Sequence, residues 1–204
     1  GNAQTPAGDA QTPAGDAQTP AGDSGGATAA GPSTPAEILT KFTEVTNDMK
    51  TNLKQCTKLE YQVVSDLDLA GVESIVEPLI GRFVKGKDAA TPKTDAGPGD
   101  IPPWGNVGCI LTDASKIKNA SYTDNGDGTA TIVLTLVDEK NPEPATDGVS
   151  PSTVGSIFSP LKKADIDKTL ADLPINVESF DLNYHDCTAT ITFNTENNQV
   201  TSYT

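Results

Sequence analysis

His185, Asp186 and Cys187 put a base, an acid and a thiol side by side in a chain of 204 residues with no other histidine. Nucleophilic catalysis needs a Cys or Ser within hydrogen-bond reach of a base that a third group orients. The pattern around these residues argues for something plainer. If His185-Asp186 forms a two-residue turn, Tyr184 and Cys187 fall on one apolar face and His185 points away from the thiol. Asp beside a small polar neighbour suits a turn on backbone grounds alone. The run DNGDGT offers calcium chemistry. Setting Gly128 as the glycine of an EF-hand-type loop puts Asp127 at position five and Asn125 at three. Thr123 then stands where Asp is needed, and Leu134 where the closing Glu is needed. A tight hairpin loop explains Asp124, Asn125 and Asp127 without a metal.

Three cysteines, Cys56, Cys109 and Cys187, allow one disulfide with one thiol left over, and their spacings match no metal motif. Cys56 follows a long helical pattern and Cys109 precedes a hairpin, so a Cys56–Cys109 bridge is one possibility. It would close a loop worth about 4 kcal/mol by chain entropy, provided the two Cα atoms come within roughly 7 Å. Cys187 reads as a buried inert thiol. Trp104, between Pro103 and Gly105, is either a ligand-stacking platform or a loop residue packed on the edge of the core. Glu178 shares the apolar strand face with Phe180 and Leu182, and either meets water where the sheet frays or pairs with a lysine. The sequon at Asn119 sits on a strand pattern and carries no weight. No Gly-rich phosphate loop, HExxH, CxxC or basic aromatic patch is present. The expectation is a protein that is not an enzyme, with no cofactor and no metal.

These residues must be positioned by elements that begin only at residue 35. AQTPAGD occurs three times in tandem at 3–9, 10–16 and 17–23, and no Leu, Ile, Val, Phe, Tyr or Trp precedes Ile38. Such a segment has nothing large and apolar to offset its ordering entropy, and Pro and Gly in every copy exclude a coiled coil. Residues 1–34 are therefore read as a disordered Pro/Gly/Ala-rich spacer and 35–204 as one domain. The net charge of −14 repels nucleic-acid phosphates and anionic lipid, so nucleic acid is excluded as a partner. No run reaches the roughly 18–20 apolar residues of a membrane helix. Gly1 leads straight into the repeat, which reads as a form without its leader, and hence as an exported protein.

Thr34, Pro35 and Glu37 make a capping box, and Ile38, Leu39, Phe42, Val45, Met49 and Leu53 follow as an amphipathic helix over 35–54. Leu59, Tyr61 and Val63 alternate as a strand ending near Ser65. Val72 to Val84 returns to helical spacing with Pro78 in its middle, as a kinked helix or two short turns. Residues 85–103 and 138–160 read as loops. Val107–Leu111 is a short apolar run, with Thr112 and Ser115 capping a single turn. Lys118, Ala120 and Tyr122 share a face with Ala130, Ile132, Leu134 and Leu136 across the DNGDG loop. Leu161–Leu173 reads as a short helix. Phe180, Leu182 and Tyr184 are expected to face Ile191, Ala189 and Cys187 in a hairpin turning at His185-Asp186, with Val200–Tyr203 as a further strand.

The fold class is thus α+β: an antiparallel sheet of five to seven strands packed against one long N-terminal helix and two shorter helices. The order of helix then meander resembles cystatin-like and lipoprotein-carrier (LolA-like) folds. More narrowly, AEILTKFTEVTNDMK after a Pro-Gly-Thr-rich tail, with CTATITFNTENNQVTSY closing the domain, resembles uncharacterised surface lipoproteins of Gram-positive gut bacteria. The resemblance covers residues 35–204 and implies an extracellular monomer, anchored through a lipid-modified lipobox cysteine upstream of Gly1. It supplies no catalytic or binding residues. Two functions remain open. One is a packed binding or structural module on a spacer, whose partner is a surface ligand or an envelope protein. The other is a carrier of a lipid or small apolar ligand in a cavity between sheet and helix, which needs some hundreds of Å³ of unfilled space.

Overall fold

The first helix starts where the capping box places it. The computed structural model of the chain describes residues 31–61, 86, 90–102, 105–146, 148–171 and 181–204. In it Thr34 Oγ1 accepts the Glu37 N–H at 3.3 Å, and Glu37 Oε2 accepts the N–H groups of Thr34 at 2.9 Å and Ser33 at 3.0 Å. Donors that a helix start leaves unpaired are thereby satisfied. These bonds to the charged form hold the Glu37 carboxyl down at about 2. Helix α1 (Pro35–Asn52) buries Ile38, Leu39, Phe42, Val45, Thr46, Met49 and Lys50.

Strands β1 (Cys56–Lys58) and β2 (Lys93–Ala96) form a separate two-stranded ribbon. Hairpin β3 (Ile117–Asp124) and β4 (Thr129–Leu136) follows the expected register, with Ala120 opposite Leu134 and Tyr122 opposite Ile132. Gly126 and Gly128 hold φ of +76° and +85°, which is the freedom the DNGDG run supplies. Next come β5 (Glu139–Lys140), helix α2 (Lys163–Ala171), β6 (Asn183–Tyr184), β7 (Thr188–Asn194) and β8 (Val200–Tyr203). The main sheet has the order β3-β4-β7-β8, antiparallel throughout, and β5 pairs with β6 in a second short ribbon. The class is α+β as expected. The described strands, however, divide into a four-stranded sheet and two ribbons, where one sheet of five to seven had been expected.

The inner face of the sheet is apolar and dry. Ala130, Ile132, Leu134, Leu136, Ala189, Ile191 and Phe193 all have no exposed surface and join Phe42 and Val45 of α1 in one core. Burying each of the larger side chains stabilises the fold by about 1.5–3 kcal/mol. The turn between β7 and β8 is tied to α1 by Asn198, held at φ +58°. Its Nδ2 donates to Glu44 Oε1 at 2.8 Å and Asp48 Oδ2 at 2.7 Å, and its Oδ1 accepts from Lys41 Nζ at 2.9 Å.

Three expectations about elements change. The hairpin around His185-Asp186 does not pair as predicted: Ala189 and Ile191 face Leu134 and Ile132 of β4. The chain does turn there, with Asp186 at φ +52°. Residues 181–184 are drawn off by β5, because Asn141 clamps them. Its N–H donates to Leu182 O at 2.7 Å, its Oδ1 accepts the Leu182 N–H at 2.8 Å, and its Nδ2 donates to Asp181 Oδ1 at 2.9 Å. Of the strand expected from Leu59 to near Ser65, residues 59–61 are not strand, with Leu59 and Tyr61 exposed beyond β1 (Cys56–Lys58), and the rest lies outside the described residues. The 138–160 connection contributes to the core through Val154 and Ile157, neither of which is exposed. The kinked helix at 72–84 lies outside the described residues.

Candidate functional site

Lys50 is buried despite its charge, and sequence reasoning passed over it. It is 3% exposed at the C-terminal end of α1. Among the described residues its Nζ donates to three backbone carbonyls: Pro98 O at 2.6 Å, Ile101 O at 2.6 Å and Gly105 O at 3.1 Å. Burial pulls the ammonium down to about 8, opposed by the nearby Cys56 thiol. Thr46 and Asn47 extend the same strap. Thr46 Oγ1 accepts the Cys109 N–H at 3.0 Å while donating to Phe42 O at 2.9 Å, and Asn47 Oδ1 accepts the Gly108 N–H at 3.0 Å. Gly108 is required for this approach, since a Cβ there would stand 2.6 Å from the helix backbone at Thr46 and Asn47. Pro98, Ile101, Gly105, Gly108 and Cys109 are therefore each tied to α1 by a hydrogen bond.

Beside this strap opens a cleft of about 1320 Å³. The last turn of α1, β1 with Leu59–Tyr61, Phe158–Ser159 and β8 line it. Tyr203 belongs to its wall, with its ring 6.4 Å from that of Phe42. Tyr203 OH and Ser159 Oγ are buried without a hydrogen-bond partner among the described residues. Burial pushes the Tyr203 phenol up, and the Cys109 thiol adds to it.

The outer face of the main sheet is the opposite in character. Thr123, Thr131, Thr192 and Ser202 stand opposite one another across all four strands. The next rows are Ser121, Val133 and Thr190, then Asn119, Thr135 and Thr188. None of these residues is buried and none is charged. Hydroxyls meet across strands at 3.1 Å for Thr131 and Thr192 and at 2.9 Å for Thr135 and Thr188.

No protein-family model, curated protein or solved structure matches this chain. The site must be read from its own chemistry.

His185 is exposed, with Nδ1 3.1 Å from Asp186 Oδ2. Asp186 is also 2.9 Å from Lys118 Nζ, and these two partners, Lys118 foremost, hold its carboxyl low. Cys187 is half-buried, and burial together with the Asp138, Asp186 and Glu139 carboxylates pushes its thiol up, away from the reactive thiolate. The Asp124–Asp127 loop satisfies itself. Asp124 Oδ1 accepts the Gly126 N–H at 2.9 Å, Asp127 Oδ1 accepts the Thr129 N–H at 3.0 Å, and Asn125 Nδ2 donates to the Thr129 and Thr131 hydroxyls. Among the described residues no group of three or more His, Cys, Asp or Glu is placed to hold a metal ion. No helix among them is long and apolar enough to cross a membrane.

Cys56, Cys109 and Cys187 are all free thiols, so the structure contains no Cys56–Cys109 bridge. Cys109 is 2% exposed inside the core cluster, facing Thr43 and Leu111, whereas Cys56 lies in β1 opposite Ala96. Trp104 and Glu178 lie outside the described residues. Asp113, not Thr112, caps the turn before β3, its Oδ1 accepting the Ser115 N–H at 2.9 Å.

Proposed function

We propose that the chain is a non-enzymatic, secreted or cell-surface module. A packed α+β head is displayed on the Pro/Gly/Ala-rich spacer of residues 1–34 and binds a surface ligand or an envelope protein as a monomer. Anchoring through a lipid-modified cysteine upstream of Gly1 belongs to this reading, as does kinship with the surface lipoproteins of Gram-positive gut bacteria. The observation that carries it is the filled space between α1 and the main sheet. Phe42, Val45, Ile132, Leu134, Ile191 and Phe193 meet there with no exposed surface. A carrier must leave that volume open, whereas a packed module closes it at crystal-like density. The test is twofold. Biotinylation of intact source cells should label the protein, and native mass spectrometry of the 204-residue chain should recover no stoichiometric noncovalently bound lipid. Stoichiometric noncovalent lipid would refute the module.

The carrier reading keeps one observation of its own. The cleft of about 1320 Å³ beside β8 is large enough for a lipid chain, and two hydroxyls without a partner among the described residues belong to its wall. In that reading the ligand lies at the end of α1 and not beneath it.

A further inference from the structure

We propose that Lys41 and Asn198 are the site of an intramolecular isopeptide bond, formed between the Lys41 amine and the Asn198 side-chain carbonyl carbon with loss of ammonia. The bond rivets α1 to the turn between β7 and β8. It goes beyond the module reading and needs no ligand.

The side chains that such a reaction requires already touch one another. Lys41, Glu44 and Asp48 follow at spacings of three and four along α1 and so share a face. Asn198 reaches them from 157 positions beyond Lys41. Its Oδ1 accepts from Lys41 Nζ at 2.9 Å, while its Nδ2 donates to Glu44 Oε1 at 2.8 Å and Asp48 Oδ2 at 2.7 Å. The amide is thereby oriented, with its carbonyl toward the amine and its leaving nitrogen toward two carboxylates. Glu44 Oε1 also lies 3.1 Å from Lys41 Nζ, so one oxygen touches both the attacking and the leaving nitrogen. A C=O bond of about 1.2 Å puts Lys41 Nζ no more than about 4.1 Å from Asn198 Cγ, close to the roughly 3–3.5 Å of a near-attack pair. The fully buried Phe193 ring stands 5.7 Å from the same Nζ and shields one side of it. A left-handed turn explains an Asn at 198. It does not explain an amine and two carboxylates converging on the amide.

The step balances without oxidant or cofactor. Glu44, whose carboxyl the Asn198 amide foremost holds low, starts as the proton acceptor. It takes one proton from the Lys41 ammonium, and the freed pair on Nζ attacks Asn198 Cγ. The Cγ–Nδ2 bond then breaks as Glu44 returns that proton to Nδ2. The leaving ammonia takes a second proton from Nζ and departs as ammonium, leaving a neutral amide between the two side chains. Asp48 holds the departing cation, and Asp48 and Asn198 both line the cleft, which gives it an exit. The reaction happens once per chain, so the protein modifies itself and turns over no substrate.

The folded full chain is held at mildly alkaline pH, where more amine is uncharged, and followed by intact mass and peptide mapping. The mass should fall by one ammonia, and digestion should yield a branched peptide joining Lys41 to Asn198. Asn125-Gly126 can also lose ammonia by closing to a succinimide, so the branched peptide decides and not the mass. Lys41→Arg and Asn198→Ala should each abolish it. Glu44→Gln keeps a carbonyl acceptor while removing the proton relay. It should slow bond formation at least tenfold, with the thermal midpoint before cross-linking within a few degrees of wild type. The cross-linked chain should melt at a higher temperature than the open one, since the bond constrains the unfolded state. Lys41 and Asn198 recovered only in separate peptides overturns the proposal. So does bond formation at the same rate in the chain unfolded by urea, or at the wild-type rate in Glu44→Gln.

Discussion

Replacing Lys50 with Met keeps the length of the side chain and deletes its three donors. Two opposed effects set the outcome. Burying an ammonium costs several kcal/mol, which Met recovers. Against this, hydrogen bonds to charged groups contribute about 1.5–3 kcal/mol each, and a carbonyl left buried without a partner costs about 1–3 kcal/mol. Ile101 O is in the buried contact, while Pro98 O and Gly105 O are partly exposed and can turn to water. One full orphan and two partial ones give a loss of about 2–4 kcal/mol, or about 4–15 °C in the thermal midpoint for a domain of this size. Urea denaturation at pH 7 measures the loss, and amide exchange should accelerate across residues 97–102.

The pH dependence supplies the sharper test. Burial holds folded Lys50 at about 8, against roughly 10.4 in an unfolded chain. Between these values the unfolded state binds more protons, so this lysine makes stability rise as pH rises from about 8 to about 10.5. Cys109, Cys187 and Tyr203 titrate in the opposite sense, since their folded values are raised. They are shared by both proteins, so the difference between wild type and Lys50→Met isolates the lysine. That difference should widen in favour of wild type across the window. A flat or shrinking difference means that the carbonyl cage outweighs burial, and the reasoning fails.

Glu37, lowered to about 2 from about 4.5 by the Ser33 and Thr34 N–H groups, stabilises the start of α1 above pH 4.5. That contribution should be lost as pH falls toward 2, read as faster exchange of the first-turn amides, and Glu37→Gln should abolish this pH dependence. Gly155→Ala should cost about 2–4 kcal/mol or prevent folding, because a Cβ there would collide with Glu143 O. Gly99→Ala, which meets nothing within 4 Å, should fall within about 0.5 kcal/mol of wild type. Thiol titration without reductant should find three reactive thiols after denaturation, with Cys109 protected in the native protein. A single thiol after denaturation would show a disulfide and contradict the structure.

What the sequence made legible was what local chemistry decides. Thr34 and Glu37 satisfy each other within one turn, and Asn125-Gly126 with Asp127-Gly128 fix their own hairpin, so both ends of these contacts are close in the chain. Alternation at Cys187, Ala189, Ile191 and Phe193 identified a face but not a neighbour. The same pattern fits residues 180–184 or β4, and β4 prevails with seven paired positions while Asn141 holds 181–182 elsewhere. Lys50 was invisible for a different reason. Its acceptors are backbone carbonyls 48 to 55 positions away, and a carbonyl leaves no mark on sequence. A hint existed in its place on the α1 stripe, one residue after Met49 and four after Thr46. The threonine row was hidden similarly. Thr on a solvent-facing strand satisfies β-propensity by itself, and only the register aligns Thr123, Thr131, Thr192 and Ser202.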